Sequence, residues 1–284
     1  MAACLGWCAR AAEPAGGGDL AAAVEAHGVE LADGAFGRLP EAWIGADGGV
    51  DRAALEKLAG PSGWERFSED AATAPVSVVI EPVAAGGTRV GHAVRTGFTL
   101  RVPLEKLETE DALKRSLGAD EDARGASATT LSAGDLAAVG VMADEAAGER
   151  FVFVEIPLLN RVKVRGVVRA VKAECPAGVR VAWEFDPRFA AAPAWRATWT
   201  RIEENELGNR VEGEPHPYRG CGGVIVVRKL EPGAGAGDLL VVESRMVIAE
   251  PQEWFQGSNL LRSKIPLTTQ EGVRSLRRKL AAVK

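Results

Sequence analysis

The sequence predicts an α+β fold: a curved antiparallel sheet packed on one long C-terminal helix. Three observations carry that expectation. From residue 149 to 251 the chain reads almost wholly as short β-branched segments, each bounded by Pro, Gly or Asp. Those segments are joined by short connections, which suit antiparallel neighbours because parallel pairs need long crossovers. The chain then ends in an amphipathic segment in which Val273, Leu276, Leu280 and Val283 recur at helical spacing.

The 284 residues are 46% hydrophobic and 26% charged, a mix that supports a sizeable core. The net charge of -5 provides no general basic field, which argues against a nucleic-acid or anionic-membrane partner. No apolar run reaches the length of a membrane-spanning helix.

Residues 1–18 are low in complexity and have two readings. One is a disordered tail. The other is the remnant of a signal peptide that starts further upstream, since Ala9-Arg10-Ala11 fits the small-x-small cleavage pattern. The first reading places the protein in the cytoplasm and the second exports it. Trp7 in front of Cys8 argues against a lipoprotein box. Cys175 and Cys221 would remain after cleavage, as a disulfide or as two thiols.

Residues 19–60 form an N-terminal helical segment. Asp19 opens a short helix broken at Gly28, and Asp51 caps a second that Gly60-Pro61 stops. Residues 76–83 and 88–104 alternate as strands across the turn "AAGG" and predict a hairpin. Residues 108–118 predict a helix ended by Gly118. Ser132 and Asp135 have capping-box spacing. Strands follow at 149–158, 161–174, 178–186, 195–204, 222–232 and 238–251. Thr268 and Glu271 have capping-box spacing too and predict the final helix from Thr269, with Arg274, Arg277, Arg278 and Lys279 off its apolar stripe. The economical packing lays that stripe across the apolar face of the sheet.

A meander from Glu149 to Pro251, the approach "EPQEWFQGSNLLRSKIP" and the helix that follows resemble the helix-grip fold of the START-like (SRPBCC-type) superfamily. The resemblance is one of architecture and covers residues 61–284. It implies a cavity between sheet and helix that holds a lipid or another hydrophobic small molecule. It implies no cofactor, and a minority of the superfamily are enzymes. The expected function is therefore a non-enzymatic binding domain. Trp183 and Phe185 share one face of their strand, and Trp199 lies on the next. With Leu276 and Leu280 of the helix they are the candidate pocket wall, since ligand sites are lined by apolar and aromatic groups.

The stretch "EPHPYRGCGGVIVV" carries the alternative. It sets His216, Tyr218 and Cys221 close together, and a nucleophilic cysteine needs a base within reach. The other reading is a turn feeding a strand, with glycines supplying unusual backbone angles. A third reading of the whole chain is an exported structural or interaction domain with a filled core. Metal binding is not expected: structural zinc takes four close-paired ligands, and Cys4 and Cys8 have no second pair. No G-x-S-x-G elbow occurs.

Overall fold

The computed structural model describes residues 19–44, 50, 52–104, 126–175, 178–205, 209–230 and 239–282. The tail at 1–18, the predicted helix at 108–118 and the proposed cap Asp51 lie outside them.

Helix α1 (Leu20–His27) is capped by Asp19, whose carboxylate accepts from Ala21 N, and ends at Gly28 with φ 75°. A hairpin of β1 (Val29–Ala32) and β2 (Ala35–Gly37) follows, where the sequence predicts only helix. Helix α2 (Arg52–Ala59) and the single turn α3 (Trp64–Phe67) complete the N-terminal part. Strands β3 (Ser77–Ala85) and β4 (Thr88–Arg101) form the expected hairpin. After β5 (Ser127–Thr130), Ser132 and Asp135 close their capping box on α4 (Ala133–Ala137). Then come β6 (Glu149–Leu158), β7 (Val162–Cys175), β8 (Gly178–Phe185), β9 (Thr198–Glu204), β10 (Arg210–Glu212), β11 (His216–Pro217), β12 (Cys221–Lys229) and β13 (Leu239–Ala249). The chain closes with α5 (Gln252–Phe255) and α6 (Leu260–Ala282).

The fold is α+β, with one large antiparallel sheet and a C-terminal helix. Its strands run β10-β9-β7-β8-β12-β13-β4-β3. β7 is long enough to hold β6 along one edge and both β8 and β9 along the other. Residues paired directly across strands share a face. The register therefore puts Trp183, Phe185, Cys221, Ile225, Met246, His92 and Phe98 on one face of the sheet. It puts Val224, Glu243, Arg245, Gly97 and Gly222 on the other.

The second face is covered by the N-terminal part. Glu243 is fully buried there and accepts from the backbone N–H of Trp43 at 2.8 Å and of Ile44 at 2.9 Å. Burial pushes its carboxyl above the usual range, against those two hydrogen bonds. Two glycines make room: a Cβ on Gly97 would meet Leu58 at 2.1 Å, and one on Gly222 would meet Val29 at 2.8 Å. Leu20, Val24, Val29, Leu31 and Ile44 share one buried cluster with Val224, Val226 and Val247.

The helix α6 starts earlier than the capping box predicts. It runs through Pro266, and the Thr268 hydroxyl turns back to the carbonyls of Lys264 and Ile265. That back-bonding occupies the hydroxyl in mid-helix, so the box with Glu271 has no Ncap to form on. Among the described residues no helix is long and apolar enough to cross a membrane, which leaves spanning strands unaddressed.

Candidate functional site

The first face of the sheet and the helix that follows it meet in two buried clusters. At the first end α5 delivers Trp254 and Phe255, and α6 delivers Leu261, into a buried cluster with Trp183, Phe185, Trp199, Tyr218 and Cys221. Tyr218 stacks on Trp254 with centroids 5.5 Å apart and meets Phe185 edge-on at 5.6 Å. Trp199 meets Trp254 edge-on at 6.1 Å and carries His216 stacked on its other side at 4.5 Å. At the second end Val273 and Leu280 are buried against Phe98, Leu100, Val227, Leu240 and Val242, with Leu276 half-buried beside them.

So the structure brings Trp183, Phe185 and Trp199 together, along with Tyr218 and Cys221. It does not bring Leu276 or Leu280 to them. The sequence places those leucines near the tryptophans, but the apolar stripe of α6 is longer than either cluster, and its two halves meet different parts of the sheet. Arg277 also departs from expectation. Instead of facing solvent it donates to the carbonyls of Thr99, Ala74 and, at 3.5 Å, Pro75. Burial, with Arg274 nearby, lowers its guanidinium to about 10. Its long apolar stem lets an arginine sit on such a boundary.

Between the ends the side chains are only partly buried. Leu261 and Val273 are separated by about 18 Å of helix rise. On the same side of the helix between them lie Ile265 and Thr269, both half-buried. Beneath, Val181 pairs with Ile225 and Ile225 with Ser244, in the middle of the sheet. All three are half-buried, as is Met246 in the next row. Along its length the helix runs closest to β3 and β4.

Cys221 does not have the character of a nucleophile. Burial pushes its thiol up to about 12, opposed only by a hydrogen bond with Tyr218. Tyr218 is raised well above the usual phenol range by the same burial, and its hydroxyl donates to Ala249 O at 3.2 Å. His216 sits outside on the exposed side of Trp199. The stretch that raised the enzyme reading is a turn into β12. Cys175 and Cys221 are both free thiols.

One polar cluster at the closed end was not foreseen. His92, with no exposed surface, holds Glu250 at 2.5 Å through Nε2. Glu250 in turn accepts from Arg89 at 3.1 Å, and Arg89 also donates to Asn259 and to Ser258 O. The cluster ties β4 to the start of α6. Its members look like ordinary alternating strand residues, and nothing local in the sequence joins His92 to a glutamate so far along the chain.

Two depressions lie on the N-terminal side. One, of about 600 Å³, is open and lined by Arg52, Glu56, Trp64 and Arg66; the other, of about 230 Å³, is lined by Pro40, Glu41, Val79 and Arg95. Their walls are more polar than apolar and lack the apolar lining of a ligand pocket.

No protein-family model matches the chain, and no curated protein matches it. Among solved structures it is similar to an uncharacterized protein from Rhizobium leguminosarum, at 10% identity, covering 71% of this chain and 98% of that one. The TM-score is 0.28, a likeness too slight to assign fold or function.

Proposed function

We propose that the protein is a non-enzymatic binding domain whose ligand, a hydrophobic small molecule or lipid, lies in the groove between α6 and the sheet. The observation that carries this reading is the half-buried apolar row Val181–Ile225, with Met246, at the centre of an otherwise closed face. Apolar side chains at mid-sheet left accessible to water represent unspent burial energy, at about 25 cal/mol per Å². A ligand is the simplest cover for them. Trp183, Phe185 and Trp199 back the groove at its aromatic end, and Leu276 borders it at the other. This reading fits the helix-grip arrangement that the sequence resembles, and the high thiol pKa of Cys221 favours it over an enzyme on the same fold.

The test is native mass spectrometry of the full chain with extraction of copurifying molecules, followed by titration with dodecanoate. Binding is expected in the wild type. Thr269→Trp, which fills the groove from the helix side, is expected to abolish it without lowering the melting temperature. A protein that carries no apolar molecule and takes up no dodecanoate at millimolar concentration overturns the proposal and leaves a filled-core interaction domain.

A further inference from the structure

One base and two acids line a single small cavity on the N-terminal side of the sheet without pairing. Arg95 pairs across strands with Val79 and with Arg245, and Ala93 pairs with Glu81, so all five lie on the face that the N-terminal part covers. Pro40 and Glu41 close over four of them, Val79, Glu81, Ala93 and Arg95, and the cavity of about 230 Å³ lies between. Its wall is pinned in place. Trp43 N and Ile44 N donate to Glu243, and Arg95 Nη1 donates to Glu41 O at 2.6 Å. The Arg95 guanidinium also lies 3.8 Å over the Trp43 ring.

The charges of this cavity are unmet. Arg245, opposite Arg95, is taken by Glu25 at 2.5 Å. Among the described residues Arg95 has no carboxylate partner. Its Nε is buried and its Nη1 is engaged, which leaves Nη2 as the donor it offers. Glu41 and Glu81 are exposed and pair with no base among the described residues. The lining therefore holds opposite charges apart, with one acid in excess.

We infer that this cavity binds a small solute with one carboxylate and two cationic groups, as in a free basic amino acid such as lysine. The carboxylate accepts from Arg95 Nη2, and the two cations lie against Glu41 and Glu81. Such a solute cancels the excess charge, and its polar ends suit a wall that is too polar for an apolar ligand. The site is separate from the ligand proposed between α6 and the sheet and does not depend on it.

The test is an NMR titration of the full chain with three probes: L-lysine, L-norleucine, which keeps the carbon skeleton and lacks the side-chain charge, and cadaverine, which keeps both cations and lacks the carboxylate. Lysine is expected to bind at least about tenfold more tightly than either, the worth of one charge-assisted hydrogen bond, and to move the Trp43 indole N–H resonance. Glu41→Gln and Glu81→Gln alter exposed side chains and are each expected to weaken lysine about tenfold. Glu203→Gln, on β9, is expected to leave its affinity unchanged. Equal affinity for the three probes, or lysine binding indifferent to Glu41→Gln and Glu81→Gln, overturns the inference. So does a wild type that takes up no lysine at millimolar concentration.

Discussion

At the scale of single residues, burial decides the chemistry. Cys221 shows this most simply. Burial pushes its thiol up to about 12 from an ordinary value near 9.0. The raised value means that its contribution to stability is fully present below about 9 and is lost as pH rises toward 12. The melting temperature of the wild type should therefore fall between those values, and Cys221→Ala should flatten part of the fall; Tyr218, raised in the same direction, supplies the rest. A thiol reagent at neutral pH should label Cys221 only as fast as the protein unfolds. Rapid labelling in the native state would mean an accessible thiolate and would reopen the enzyme reading. Glu243 is the counterpart on the other face. Its two carboxylate oxygens each take one backbone N–H, and an amide has a single acceptor oxygen to offer. Glu243→Gln should cost about 1–3 kcal/mol in chemical denaturation at neutral pH. Because burial raises the folded carboxyl above its ordinary 4.5, wild-type stability from this group declines as pH climbs past 4.5, and the variant should lack that decline.

At the scale of elements, α6 is the informative one. Its sequence stripe is real, but the helix is held at both ends by different means: Leu261 with the Arg89–Glu250–His92 cluster at the start, Val273, Leu280 and Arg277 at the finish. Leu280→Ala should cost about 2–5 kcal/mol, depending on how far the site collapses. Arg277→Ala should lower the melting temperature clearly, since it strips hydrogen bonds from the carbonyls of Thr99 and Ala74. Arg278→Ala, on the exposed side, should change it little. If Arg277→Ala and Arg278→Ala melt alike, the anchoring role given to Arg277 is wrong. The start of this helix was misjudged from sequence because Thr268 and Glu271 satisfy a local spacing rule. Packing of Leu261 carries the helix upstream through Pro266.

At the scale of the whole molecule, the sheet is a middle layer with a cover on each face. The N-terminal part shares the core with the strands, so residues 61–284 expressed alone should bind hydrophobic dye and unfold without cooperativity; a sharp melt of that fragment would contradict a shared core. The sequence by itself determined what is local. Alternation marked the strands, "AAGG" marked the hairpin of β3 and β4, Ser132 and Asp135 marked a helix start, and the apolar stripe marked a long helix at the end. These depend on residues within a turn or two of one another. The tertiary structure alone decided the rest: that β7 serves three neighbours, that β1 and β2 pair instead of extending a helix, and that His92 meets Glu250. It also parted Leu276 from the tryptophans and left Ile225 half-covered. Each of these turns on which distant surfaces come to face each other, and their energy is gained only once those surfaces have met.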